Sequence, residues 1–359
     1  MLADTYAMHE IVFVLVPATL SFCIGMLMTP ALTYYLYAHK VWKKRAGKMA
    51  YDGTQASVFN SLHAHNEIRA PRMGGIVVWG SVFLTVIVTS LLSYIIPSAQ
   101  TFQLDFLSRS QTWIPFATLL IGAYAGFLDD LMVVRESGEG MPLTVRLSIV
   151  TLFSTFIGWW FFAKLGVVAI GIPFFQPLVI GVFIIPFFVL MSLALYASGV
   201  IDGIDGLSGG VFGSIFAAYA IIAFVQGQAD LAAFSAAIVG GILAFLWFNI
   251  PPARFYMSDT GTMGLTLCLG TIAFMTDTLG GGVGIFVLPV IGLLLVLTVL
   301  SDVLQLAWKK IFKRKLFRIA PLHHHFEALG WPGYKVTMRY WVLSVVFAFA
   351  GVIIAILGR

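Results

Sequence analysis

Apolar runs about twenty residues long recur from one end of this chain to the other, and they leave few folds open. A run of that length crosses a bilayer as a helix. Ten are read, near 11–38, 74–97, 113–134, 145–164, 177–199, 207–226, 230–249, 260–277, 282–308 and 337–357. Of 359 residues, 60% are hydrophobic and only 10% are charged, against about 25% charged in a soluble domain. The runs are continuous rather than alternating, which argues against a β-barrel. The chain therefore reads as a single all-α, polytopic membrane domain over 1–359.

Lys and Arg orient the runs, because basic residues collect on the cytoplasmic side. With ten spans, 18 of the 21 basic residues share one side and only Arg109, Lys164 and Arg359 fall on the other. The richer side is expected to be cytoplasmic, with both termini outward. The first run ends at Lys40-Val41-Trp42-Lys43-Lys44-Arg45, which reads as a stop-transfer flank and not as the end of a cleaved signal. Cys23 and Cys268 both lie in apolar runs and read as packed small hydrophobes.

Five of the 16 acidic residues fall at three span ends on that same side. Asp129 and Asp130 close the third span. Asp202 and Asp205 sit among glycines in Val200-Ile201-Asp202-Gly203-Ile204-Asp205-Gly206-Leu207. Asp259 opens the eighth span. A lone Asp in such a place is an ordinary helix cap. Five at one depth point instead to a hard-oxygen site suited to Mg²⁺ or Mn²⁺ and not to Zn²⁺. Acids not needed as ligands remain to orient or deprotonate a nucleophile.

Four more features accompany the acids. Ala320-Pro321-Leu322-His323-His324-His325-Phe326-Glu327 follows a basic run. Three adjacent histidines cannot face one way, so at most two reach one ligand; phosphate contact, an orienting role and packing at the headgroup zone all stay open. In Ile68-Arg69-Ala70-Pro71-Arg72-Met73-Gly74-Gly75, Arg69 and Arg72 either fork onto phosphate or simply mark the cytoplasmic flank. Gly74 and Gly75 suit close helix packing. Asp302 and Gln305, a turn apart in the ninth run, line a polar groove or satisfy each other. Tyr256 stacks on a base or sits in the aromatic belt.

Taken in order, Pro71-Arg72-Met73-Gly74-Gly75, Gly126-Phe127-Leu128-Asp129-Asp130, Asp202 to Leu207, Leu246-Trp247-Phe248-Asn249 through Met257-Ser258-Asp259, and the histidine stretch with Trp331-Pro332 resemble the polyprenyl-phosphate N-acetylhexosamine-1-phosphate transferase superfamily. Within it the chain is most similar to the bacterial phospho-N-acetylmuramoyl-pentapeptide transferases. The resemblance covers nearly the whole chain. It implies an enzyme of the bacterial inner membrane that moves a phospho-sugar from UDP-MurNAc-pentapeptide to undecaprenyl phosphate with Mg²⁺. The products would be lipid I, for peptidoglycan, and UMP. It also implies a homodimer.

By the same resemblance, Asp259 is the principal metal ligand, with Asp202 catalytic or close to the metal. Asp129 and Asp130 are candidate base and metal-site residues. Asp205, and Tyr256 in place of the family's usual Phe, face the uridine. Asn249, His323, His324 and His325 meet the diphosphate or sugar; Arg69, Arg72 and Gln305 are added to the substrate-contact set on their own chemistry and not by the resemblance. The chain departs from the pattern at several points. An Asn pair before Asp202 is replaced by Tyr196 and Gly199, and the usual Met-Gly-Asp reads Met257-Ser258-Asp259. Arg72 stands for a Thr, and Glu67 and Val133 stand where Lys is usual. A transferase taking another UDP-sugar, a secondary transporter and a non-catalytic binding protein are the rival readings.

Overall fold

The computed structural model describes residues 2–44, with side chains from residue 10, together with 70–108, 110–135 and 140–359. Arg69, Arg109 and Glu67 lie outside the described residues. The elements are α1 Leu2–Ala38, α2 Ile76–Ile95, α3 Ala99–Leu104, α4 Trp113–Val134, α5 Leu143–Ala163, β1 Ala169–Ile170, β2 Leu178–Val179, α6 Ile184–Ser198, α7 Leu207–Val225, α8 Ala229–Asn249, α9 Ser258–Met275, α10 Gly284–Ile291, α11 Leu293–Phe312, α12 Leu322–Ala328 and α13 Gly333–Leu357. The strands form one two-residue antiparallel pair; it takes up the start of the expected fifth run, where residues 177–180 are not helical.

Eight of the described helices are long and apolar enough to cross a membrane. The expected ninth run is broken: α10 and α11 meet at Gly292 with a bend of 70°. Pro289 inside α10 removes a backbone donor just before the break, and glycine at the joint lets the chain turn there. The expected eighth run, 260–277, is α9, which is not among the helices apolar enough to cross by themselves. It carries Thr260, Thr262, Thr266 and Thr271 and three glycines in 18 residues. Every residue of α9 except Asp259 is buried, so its environment is protein and not lipid. Several of its hydroxyls are satisfied within the helix, Thr262 Oγ1 donating to the Ser258 carbonyl and Thr266 Oγ1 to that of Thr262, while Ser258 and Thr260 donate to Asp130 of α4. A helix solvated in this way by its own backbone needs no apolar surface.

Glycines set how closely the neighbours approach α9. Gly122 and Gly126 of α4, four residues apart, lie against Met263 and against the main chain of Asp259. A methyl group at Gly126 would overlap the Asp259 carbonyl. Gly75, at the entry to α2, meets Gly261 in the same backbone-to-backbone way. Small-residue crossings of this kind let helices pack without lipid between them. Their consequence is local: the first turn of α9 is clasped by the end of α4 and the start of α2. The outer helices instead turn large apolar side chains outward, Leu27, Leu152 and Leu190 among them, as a lipid-facing surface requires.

Candidate active site

The clasp brings the last turn of α4, the first turn of α9 and the 201–206 loop to one end of the bundle. Asp130 is fully buried. Its Oδ2 accepts from Ser258 Oγ at 2.7 Å, the Thr260 N–H at 2.9 Å and Thr260 Oγ1 at 2.6 Å. Its Oδ1 takes Arg72 Nε and Nη2, each at 2.8 Å. Arg72 Nη2 continues to Asp259 Oδ2 at 3.4 Å. Asp129, also buried, accepts from the Met141 N–H and pairs with Arg146 at 3.5 Å. Asp129 and Asp259 are near enough for their charges to act on each other.

Asp202 joins from the loop side. Its Oδ1 accepts from Ser208 Oγ at 2.6 Å and its Oδ2 from the Ser258 N–H at 2.7 Å. Burial pushes the Asp202 carboxyl above its ordinary range, against those two hydrogen bonds and the nearby Arg72. The histidines arrive from α12. A Cβ on Gly203 would lie 2.5 Å from His324 Nε2 and 2.7 Å from His323 Nε2, so only glycine fits beneath both rings. His324 Nδ1 donates to Glu327 Oε2 at 2.6 Å, because a carboxylate can only accept, and this fixes which ring edge faces the loop. His325 turns the other way. Its Nδ1 accepts from the Arg318 N–H at 3.2 Å, and burial, with the Arg318 charge, holds its ring below the ordinary histidine value.

Two non-glycine residues with positive φ meet here, Met73 at +69° and Ser258 at +52°. They are joined by the Met73 N–H donating to Ser258 Oγ at 2.8 Å. Such backbone costs on the order of 1–3 kcal/mol and gathers at functional sites.

The Glycosyl transferase family 4 model matches residues 112–277, the stretch from α4 to the end of α9. A phospho-N-acetylmuramoyl-pentapeptide-transferase of Thermodesulfovibrio yellowstonii is 30% identical over 301 residues, 77% of this chain and 78% of that one. The protein of the same name in Rhodopseudomonas palustris is 36% identical over 263 residues, 67% and 71% of the two chains. That of Clostridium perfringens is 34% identical over 229 residues, 63% and 70%. This chain belongs to the phospho-N-acetylmuramoyl-pentapeptide-transferase family.

Against that family's expected site, the structure gathers Asp129, Asp130, Asp202, Asp259, His323 and His324 in one place and redirects several others. Asn249, expected on the diphosphate or sugar, is buried; its Oδ1 accepts from the Gly206 N–H at 2.8 Å and its Nδ2 donates to the Phe255 carbonyl at 2.7 Å. With both amide ends on backbone it joins two loops. Gln305 closes the turn after α11: its Oε1 accepts from the Leu316 and Phe317 N–H groups and its Nε2 donates to the Phe317 carbonyl. Arg72 turns its Nε and Nη2 onto Asp130. His325 faces Arg318 and not the acids.

Asp205 accepts from the Ala253 N–H at 3.0 Å. Tyr256 is half-buried, its main chain tied to Pro71 and Gly74. Asp205 thus joins the 201–206 loop to the 250–257 loop that carries Tyr256.

Sequence reasoning missed Ser258, Thr260, Arg146, Ser208 and Glu327. Only Glu327 left a signal, three residues after His324 on a helical stretch. The rest are polar partners supplied by tertiary packing.

The donor set is all oxygen. No three of its His, Cys, Asp or Glu side chains form a ready cage among the described residues. That pattern fits Mg²⁺, which is usually held by one or two carboxylates, waters and substrate phosphates.

Proposed function

We propose that this protein transfers phospho-N-acetylmuramoyl-pentapeptide from its UDP carrier to undecaprenyl phosphate, giving lipid I and releasing UMP in peptidoglycan synthesis. The observation that carries the reading is the meeting of four Asp carboxylates at one end of the bundle, from α4, the 201–206 loop and α9, in a chain of this family. Phosphoryl transfer asks mainly for positioning and charge neutralisation, and an acid cluster at helix ends supplies both.

Asp259 and Asp202 are the residues that would hold Mg²⁺, which when bound neutralises the charge gathering on the diphosphate. Asp129, beside Asp259 and backed by Arg146, is placed to take a proton from the lipid phosphate. His324, oriented by Glu327, presents Nε2 across Gly203 toward the substrate side of Asp202. Asp205 and Tyr256 border the place for the uridine. Asp130 does not act on substrate; it holds Arg72. The concentration of Lys and Arg around this end supports a cytoplasmic cleft in a bacterial inner membrane, reached by the nucleotide from water and by the lipid from the bilayer.

The test uses purified protein with Mg²⁺, undecaprenyl phosphate and UDP-MurNAc-pentapeptide, with UDP-N-acetylglucosamine as the competing donor. UMP should appear with the first donor, and Asp259→Ala should lower its release by at least about a thousandfold, the scale of an essential charge-stabilising group. UMP from the second donor alone reassigns the substrate. Full activity in Asp259→Ala removes the metal role given to that residue.

A further inference from the structure

Arg72 is built into the carboxylate cluster instead of hanging at its rim. On one side its N–H donates to the Val41 carbonyl at 2.8 Å; on the other, Met73 is fastened to Ser258 Oγ. Its side chain lies with Nε and Nη2 on Asp130 Oδ1. Asp130 is itself locked, its other oxygen filled by Ser258 Oγ and by the N–H and hydroxyl of Thr260. Two glycine contacts, Gly75 on Gly261 and Gly126 on Asp259, keep these three segments from separating. Anchored this way, the guanidinium reaches Asp259 Oδ2 at 3.4 Å, and its charge also bears on Asp202. The four carboxylates, set against Arg72 and Arg146, keep a formal charge of −2, which is one divalent ion.

We infer that Arg72 is a resident cation of this site that competes with the divalent ion for Asp259, with Asp130, Ser258 and Thr260 as its anchor. The inference rests on the metal role given to Asp259 under the proposed function. Its physical content is simple. A fixed positive charge a few ångströms from the metal position repels a bare divalent ion and already occupies one of its oxygens. A diphosphate brings negative charge that offsets this repulsion. The substrate-free protein therefore binds the bare ion weakly and takes it together with the nucleotide.

The experiment measures Mn²⁺ binding by electron paramagnetic resonance on the purified full chain, first without and then with UDP. Arg72→Thr should bind Mn²⁺ roughly tenfold more tightly than wild type without UDP, with most of that gain gone once UDP is present. Arg72→Lys keeps the charge and should stay within about threefold of wild type, a result that a mere packing role would not produce. Ser258→Gly keeps Arg72 but loosens its anchor and should move Mn²⁺ affinity the same way by a smaller factor. It also carries the test should Arg72→Thr fail to fold. Unchanged or weaker Mn²⁺ binding in both Arg72→Thr and Ser258→Gly overturns the inference. Unchanged Mn²⁺ binding in Asp259→Ala overturns the metal assignment instead, whatever the Arg72 variants do.

Discussion

At the residue scale, the site shows how one buried polar group can fix a loop on which chemistry depends. Asn249 ends α8 with its amide divided between Gly206 and Phe255. Those contacts hold the 201–206 loop, with Asp202 and Asp205, against the 250–257 loop that leads into Asp259. Replacing Asn249 by Leu leaves a buried N–H and a buried carbonyl without partners, at about 1–3 kcal/mol each. Thermal denaturation in detergent should show Asn249→Leu destabilised by several degrees and poorly active. Asn249→Asp, which still accepts from Gly206, should fall between it and wild type. Equal stability of all three proteins would remove the bridging role. Ser258 makes the same point in one residue: its N–H holds Asp202 while its hydroxyl holds Asp130 and receives Met73. A left-handed backbone at Ser258 is tolerated because all three contacts are made together.

At the element scale, α9 is the axis of the molecule. It is the least apolar of the ten expected runs, and the structure explains why: it is wrapped by α4, α6, α10 and α2, so lipid never solvates it. The closeness of α4 depends on Gly122 and Gly126. Gly126→Ala should push α9 away from α4, destabilise the protein by about 1–3 kcal/mol, and lower UMP release sharply by separating Asp129 from Asp259. Gly213→Ala is the control. A Cβ there meets only Ile242 Cγ2 at 3.4 Å, so the usual gain of Ala over Gly in a helix, up to about 1 kcal/mol, should survive. Melting curves and activity of the two variants check both statements; a Gly126→Ala protein as active as wild type would sink the first. The histidine helix is positioned by a comparable device, Phe326 stacking on Trp331 at 4.8 Å with Arg339 above the same ring at 4.1 Å.

At the scale of the whole molecule, Asp129, Asp130, Asp202, Asp259, His323 and His324, with most of the described basic residues, belong to one end of the bundle. The short β-pair and Asp277, which accepts from the Gly171 and Ile285 N–H groups, belong to the other. Attraction of basic residues to the cytoplasmic face predicts the orientation. In a cysteine-free background, Lys315→Cys should react with a membrane-impermeant thiol reagent only after the cells are opened, and Arg359→Cys should react from outside. The reverse labelling would invert the proposed topology and move the nucleotide site to the wrong side of the membrane.

Lipid-spanning helices, their approximate ends and the common depth of Asp129, Asp130, Asp202 and Asp259 were legible in the sequence because they are local properties. Twenty apolar residues must become a helix in hydrocarbon, and a carboxylate beside such a run must sit at its end or face water. The histidine stretch was legible in the same limited way: geometry allowed at most two rings on one target, and two of the three rings meet at Gly203. What each polar group touches was not legible. Arg72 read as a phosphate clamp and Asn249 and Gln305 as ligand contacts, because side-chain type states a capacity to hydrogen-bond and not the partner. The partner is chosen by which backbones come close, and here that is decided by glycine-to-backbone contacts between α2, α4 and α9. The residues of those contacts lie between 133 and 186 positions apart in the chain. A protein-solvated α9 follows from the same cause, since only the assembled bundle determines which helices face lipid and which face one another.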